Sequence, residues 1–390
     1  MTLDYLEQIL DLFLEQKRLS VQQTLSILKQ GTGVFQQLKN VIDVDSGPNQ
    51  QIIIVGDTHG QFYDVVNLID MYGPPSENQI YLFNGDVVDR GSHGVENMLF
   101  LIGLKLVFPN YIHILRGNHE SERCTQVYGF RFEVFDKYKD SVDSEEEVYH
   151  ENEQIKENKS NIKIPFEKES DIKIDKECND ESQDKNVIDL MEIKTQDDDN
   201  VLLSQSNKDQ NKVNAKQPYS EMKTGQLVYS AFLQLFNSLP IGAIVNKEIF
   251  VTHGGLFDRY GVTIDDIQKI NRFCDPGQEG GENLMGQMMW ADPSEFTSFH
   301  PSIRSYGCLF GEDVTDDFLI NNNLKLVVRS HEQKKNGFQI HHSGKLITIF
   351  SAPSYCLDTN LGAVLLVTKD ESQDETESQD EKEKQMNGET

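Results

Sequence analysis

No two cysteines in this 390-residue chain are spaced C-x-x-C. The five present (Cys124, Cys178, Cys274, Cys308, Cys356) are odd in number. That argues against a disulfide framework or a thiolate zinc site and suits a reducing compartment. Positive charge is also scarce. Lys and Arg total 36 against 64 Asp and Glu, giving a net charge of -28 and a pI near 4.7. A protein that binds a phosphate backbone needs a basic surface, so nucleic acid is not an expected partner. No uncharged apolar run reaches the roughly 18 residues that a membrane-spanning helix needs. The opening MTLDYLEQILDLFLEQKRLS has helical apolar spacing broken by acids, without a basic leader or a small-residue cleavage site. The chain is therefore expected to be intracellular, in the cytoplasm, the nucleus or both. No D-x-D-x-D-G calcium loop occurs.

What charge there is clusters. Residues 139–224 read ENEQIKENKSN, KECNDESQDKN and TQDDDNVLLSQSNKDQNK, with few aromatics. That composition buries too little apolar surface to offset chain entropy, and predicts an acidic, disordered insertion. NIKIPFEK and NVIDLMEIK are apolar islands within it. Residues 369–390 repeat ESQDE and form a second acidic tail. One catalytic domain is thus expected in two parts, 1–138 and 225–368.

The first part repeats one pattern. IIIVGDTHG, IYLFNGDVVDRG and YIHILRGNHE are each an apolar run, then glycine, then polar residues. The segments between them, FYDVVNLIDMYG and VENMLFLIGLKL, have helical spacing. The order is β-α-β-α-β, with polar side chains just past each strand's C-terminal end, where α/β sheets bind ligands. In the second part EIFVTHGG and LKLVVRSHE place His253 and His331 after strands, and ITIFSAPSYC ends at Tyr355 and Cys356.

Five strand ends are expected to converge and to deliver Asp57, His59, Asp86, Asn118, His253 and His331 to one place. Carboxylates, an amide oxygen and imidazoles suit manganese, iron or zinc in a mixed nitrogen and oxygen shell. Six ligands exceed the need of one ion with open water positions and fit two ions sharing a bridging carboxylate. Each element taken singly has a plainer meaning. GDTHG is an ordinary turn, His253 and His331 are core histidines, Asp89 pairs with Arg90, and Arg304 is solvated. Their joint occurrence is what points to a site.

GDTHGQ, GDVVDRG, RGNHE, THGG, RSH and SAPSYC together resemble the phosphoprotein phosphatase family of Ser/Thr phosphatases. Within it GDTHGQFYDVVNLID and QILDLFLEQKRLS are most similar to the type-5 branch. The resemblance covers residues 5–138 and 225–367. It implies a four-layer α+β fold of the calcineurin-like metallophosphoesterase type, with two mixed sheets packed as a sandwich between helices. It also implies hydrolysis of phosphoserine and phosphothreonine, with two divalent metal ions. Manganese is expected first, with iron, zinc or magnesium as alternatives. By the same resemblance Asp57 and His59 bind one ion, Asp86 bridges, and Asn118, His253 and His331 bind the other. Arg90, Arg304 and Tyr355 contact the phosphate. His119 is the general acid, oriented by Asp89. Phosphorylated proteins are the implied substrates, with regulatory subunits as further partners.

The chain departs from the family at several points. SAPSYC has Ser354 where asparagine is usual, and Arg304-Ser-Tyr-Gly stands where R-G-V-S is usual. Helical repeats of the type-5 kind are not expected ahead of the catalytic part. KIPF (163–166) resembles the docking sequence of regulatory subunits on type-1 relatives. Ser372 and Ser378, each followed by Gln-Asp-Glu, resemble acidophilic kinase substrates. Hydrolysis of small phosphoesters or dinucleotide polyphosphates, and a pseudophosphatase with a dead site, are the competing functions.

Overall fold

The structure is a computed structural model that describes residues 1–139, 188–193, 221–278, 283–304 and 306–369. Two helices open the chain, α1 (Leu3–Leu14) and α2 (Val21–Phe35). Each is amphipathic and starts on a hydroxyl cap, Thr2 and Ser20, whose oxygen accepts a free first-turn N–H. After β1 (Val41–Val44) comes the repeating unit read from the sequence. It runs β2 (Gln51–Val55), α3 (Phe62–Tyr72), β3 (Gln79–Phe83), α4 (Gly94–Val107), β4 (Ile112–Ile114). β2, β3 and β4 pair in parallel. Helices α5 (Glu122–Tyr128) and α6 (Phe130–Lys137) follow.

Within residues 139–224, expected from composition to be an insertion with apolar islands, the NVIDLMEIK island forms a strand, β5 (Ile188–Ile193). It pairs antiparallel with the chain's last strand at the edge of a sheet. The stretch is locally rich in Ile, Leu and Met, and a sheet edge offers unpaired backbone groups to such a segment. The acidity of its surroundings masked that tendency. α7 (Glu221–Ser238) likewise begins inside the expected insertion. The rest of that stretch, with Lys163–Phe166, and the tail with Ser372 and Ser378, lie outside the described residues.

The second half supplies β6 (Gly242–Val245), β7 (Ile249–Val251), α8 (Ile264–Gln268) and α9 (Leu284–Trp290). A small three-stranded sheet follows from β8 (Asp292–Pro293), β9 (Phe299–Pro301) and β10 (Cys308–Phe310). α10 (Glu312–Asn322), β11 (Leu326–Arg329), β12 (Phe338–His341), β13 (Leu346–Ile349) and β14 (Gly362–Thr368) complete the fold.

Two large sheets result, ordered β4-β3-β2-β14-β5 and β1-β6-β7-β11-β13-β12. Strand alternation sorts their side chains. Ile52, Ile54, Ile80, Leu82 and Val367 of the first sheet meet Val251, Val328, Ile347 and Ile349 of the second in one core. The opposite faces, with Ile53, Val55, Tyr81 and Phe83, pack under the helices α1–α4, α6 and α7. Helices α8, α9 and α10 cover the outer face of the second sheet. Strands buried on both faces are expected to be apolar throughout, which is why their sequences do not alternate. The layering is the α/β/β/α sandwich expected.

Candidate metal centre

At the strand ends the two sheets touch. Asp57, just past β2, bridges in parallel to Phe350, just past β13. Asp86 follows β3, Asn118 follows β4, His253 follows β7 and His331 follows β11. All six expected ligands are buried or nearly so, and the structure brings them together. Gly85 (φ +86°) and Gly117 make the crowding possible. A Cβ on Gly85 would fall 2.3 Å from the Gly117 nitrogen, and one on Gly117 would fall 2.2 Å from Asp86 Oδ1. His59, Asp86, Asp89, Arg90 and His331 all hold positive φ, between 41° and 70°. Side-chain-bearing residues adopt that region reluctantly, and such strain gathers where surroundings must over-determine a geometry.

Asp86 is central. Its Oδ1 lies 3.3 Å from His253 Nε2 and accepts the His119 N–H at 2.9 Å. Its Oδ2 lies 3.6 Å from His59 Nε2 and 3.9 Å from His119 Nε2. One carboxylate thus faces two groups of donors. His59, Asp86 and His119 offer atoms within 4.8 Å of one another, and so do Asp86, His253 and His331. Asn118 Oδ1 sits 2.8 Å from His253 Nε2. Asp57 Oδ1 accepts the His331 N–H at 3.1 Å, while its Oδ2 points toward His59 Nε2 at 3.7 Å.

Two buried atoms of this set have no hydrogen-bond partner, Asp57 Oδ2 and His331 Nε2. Buried polar atoms are nearly always satisfied, so such orphans need an explanation. Cations at the two atoms, one on each side of Asp86, supply one. The second ring nitrogens of the other histidines are already engaged. His59 Nδ1 is held by the Val88 carbonyl and His253 Nδ1 by the Asn84 carbonyl. That pattern leaves Nε2 as the donor atom, as metal-binding histidines are usually arranged. The residues present fit a pair of divalent ions.

The electrostatics show the same crowding. Burial, then the Asp86 charge, pushes Asp57 up to about 7. Burial would raise Asp86 as well, but His253, His119 and His59 outweigh it and hold it well below the carboxylate range. Burial would lower His253, yet Asp86 drives it up to about 9. His59 is pushed down to about 3 by burial and by His119. Burial and the His253 charge hold His331 well below its usual value. For His119 burial pulls down, but Asp86 and Asp89 prevail and raise it.

The remaining expected residues surround this cluster. His119 Nδ1 donates to Asp89 Oδ2 at 2.7 Å, and Asp89 Oδ1 accepts the Phe130 N–H. The exposed Arg90 lies with its guanidinium 4.1 Å from the Tyr128 ring centre, and that ring lies 4.9 Å from His119. Tyr355 stacks on His59 at 4.9 Å. Arg304 donates through Nε to Asp292 Oδ2 at 2.6 Å and is near enough to help depress His331.

Three contributors carried no role in the sequence reading. Glu120 accepts from the backbone N–H groups of Asp86, Val87, Val88 and Gly117, at 2.8 to 3.3 Å, and so ties two ligand loops together. Asp292 receives Arg304 on one oxygen and the fully buried Arg329 on the other. Tyr128 is the platform for Arg90. Glu120 was visible inside RGNHE, but Asp292 and Tyr128 are linked to their partners only through the fold.

The calcineurin-like phosphoesterase family model matches residues 51–214 and 175–335. The chain belongs to the calcineurin-like phosphoesterases. Among curated members it is 34% identical over 355 residues to serine/threonine-protein phosphatase 5 of Solanum lycopersicum, covering 91% of this chain and 48% of that one. It is 33% identical to serine/threonine-protein phosphatase T of Trypanosoma brucei brucei, covering 91% and 57%, and 32% identical to human serine/threonine-protein phosphatase 5, covering 91% and 53%. The chain spans about half the length of the curated relatives it matches. A solved Saccharomyces cerevisiae protein serine/threonine phosphatase, with similarity to human phosphatase PP5, superposes with a TM-score of 0.68 at 30% identity, covering 93% of this phosphoesterase and 88% of that chain.

Proposed function

We propose that the chain is a metal-dependent protein Ser/Thr phosphatase. The observation that carries the reading is His119, held by Asp89 beside the two candidate ligand groups that share Asp86, with Tyr128 between it and Arg90. Likeness to phosphatases 5 and T along most of the chain supports it. Asp57, His59 and Asp86 would hold one ion, and Asp86, Asn118, His253 and His331 the other, with manganese the first candidate. A bound pair of divalent ions supplies positive charge at the phosphate and a water of lowered pKa.

The protein's own groups do the rest. Arg90 and Arg304 bind the equatorial phosphate oxygens, where transferable charge must be met by fixed cations. An arginine fork does this in two parallel hydrogen bonds. Tyr128 holds the Arg90 plane, Asp292 holds the Arg304 head, and Tyr355 closes the side next to His59. A seryl or threonyl oxygen is a poor leaving group and needs a proton. His119 Nε2 supplies it, because Nδ1 is committed to Asp89 and the neighbouring carboxylates favour the protonated ring.

The test is turnover of a phosphothreonine peptide by metal-stripped protein reloaded with Mn, Mg, Zn or Fe. Activity should return with metal, best with Mn. Hydrolysis of bis-esters or dinucleotide polyphosphates, with the peptide untouched, would move the assignment to small phosphoesters. No turnover of any phosphoester by fully loaded protein would leave a pseudophosphatase.

A further inference from the structure

Ile303 and Leu357 are the two most exposed large apolar side chains among the described residues, each 93% accessible. Single exposed aliphatics are common on any surface. These two are set apart by position. Ile303 immediately precedes Arg304, whose guanidinium is fixed on Asp292. Leu357 follows two residues after Tyr355, which stacks on His59.

The turn that carries Leu357 is built rather than frayed. Ser354, Cys356 and Leu357 all hold positive φ, at 49°, 53° and 68°. The buried Asn360 locks that backbone. Its Oδ1 accepts from Tyr355 N at 2.8 Å, its carbonyl accepts from Ser354 N at 2.9 Å, and its Nδ2 donates to Ala352 O at 2.8 Å. The Leu357 N–H also donates to the Ser354 carbonyl. A strained backbone, pinned from beneath, thus presents a leucine to solvent beside the phosphate-contacting tyrosine.

We propose that Ile303 and Leu357 are specificity residues that select phosphoserine or phosphothreonine segments with apolar side chains flanking the phosphorylated residue. The proposal rests on the phosphatase reading above and adds a substrate class to it. Two features commit the occupant to an apolar-flanked polypeptide. The aliphatics adjoin in sequence the two residues proposed to hold the phosphate, Arg304 on Asp292 and Tyr355 on His59, which puts them in the neighbourhood of the residues flanking a bound phosphothreonine. A net charge of -28 also disfavours the acidic flanks common around phosphosites.

The experiment uses the full chain loaded with Mn and three phosphothreonine peptides that differ only in flanking residues: Leu and Ile, Ser, or Asp. The wild-type protein should show kcat/KM about tenfold higher for the apolar peptide than for the serine peptide, with the aspartate peptide lowest. In the double variant Ile303→Ser, Leu357→Ser the apolar-to-serine ratio should fall toward one. Taken within one variant, the ratio cancels any loss shared by both peptides. Leu357→Asn, with a residue that tolerates left-handed backbone, should lower the ratio as well and serves if the double variant folds poorly. Ile320→Ser, altering an exposed aliphatic on α10, should leave the ratio at the wild-type value. A wild-type ratio near one, or a ratio unchanged in the Leu357 variants, overturns the proposal and leaves the phosphatase reading standing. Turnover of p-nitrophenyl phosphate with none of the peptides removes both.

Discussion

His119 Nδ1 and Asp89 Oδ2 lie 2.7 Å apart, both buried, at the mouth of the metal cluster. The pair fixes the ring so that only Nε2 faces the site. If Nε2 delivers a proton to the leaving oxygen, His119→Asn should lower phosphopeptide turnover by about 100- to 10,000-fold. The loss should be much smaller for p-nitrophenyl phosphate, whose leaving group hardly needs protonation. Metal content should remain. Equal losses on the two substrates, or a missing ion by elemental analysis, would make His119 a ligand instead; its Nε2 does lie close to Asp86 and His59.

Asp86 faces both halves of the cluster, one oxygen toward His253 and the other toward His59. On the proposed ligand set, Asp86→Asn removes charge from both ion sites. The purified variant should carry fewer than two metals and lose turnover on every phosphoester. Retention of two metals per chain would show that the bridge lies elsewhere.

Glu120 receives N–H donors alone, four of them from the two ligand loops. Glu120→Gln keeps the shape but turns one oxygen into an NH2 group that must face donors. The loops should loosen, and metal affinity should drop by about 10- to 100-fold, the usual effect of disturbing groups that orient ligands. Isothermal titration of the stripped protein with Mn measures this. Unchanged affinity would reduce Glu120 to a packing role.

Lys105 is 3% exposed in α4, with its Nζ bonded to the Pro109 carbonyl at 2.6 Å. Burial pushes its pKa down to about 8. A depressed lysine costs stability while charged, so the penalty is full below about pH 8 and fades as pH climbs toward the unfolded value. Lys105→Met should therefore stabilise the protein at pH 7 by something on the order of 1 kcal/mol, after allowing for the orphaned carbonyl. The gain should shrink by pH 9.5. Urea unfolding at the two pH values checks it; a less stable variant at pH 7 would show the ammonium to be net favourable.

The strand ends made much of this legible in advance. Past a leading Gln, β2 and β3 are buried on both faces, so their sequences run apolar without a break, and in β2, β3 and β4 alike the glycine and polar residues that follow mark where the sheet stops. The helices between them were legible by spacing. Those features are local, and the six residues they single out meet in one place. What depends on distant partners was not legible. β5 needs β14, some 170 residues away in sequence, before its backbone groups have anything to bond. Asp292 is an ordinary loop acid until Arg304 and Arg329 close on it. β1 is four residues long and pairs with β6, two hundred residues later. Nor could spacing reveal that His119 shares the reach of His59 and Asp86, because three separate strand ends bring them together.

The strand order β4-β3-β2-β14-β5 also has a consequence for synthesis. β2 is among the first strands made, yet its neighbour β14 is the last of those described. A ribosome adds about 5–20 residues per second, so β2 waits with one edge bare for the best part of the chain's translation. A nascent chain stopped at Lys139 carries Asp57, His59, Asp86 and Asn118 but lacks His253, His331 and β14. It has the three residues proposed for one ion but only Asp86 and Asn118 of those proposed for the other, and an open apolar edge, the kind of surface that chaperones cover. On the proposed ligand set, uptake of the second ion is tied to completion of the polypeptide: an unfinished product lacks His253 and His331, and holding both ions would certify that the chain has been made past residue 331.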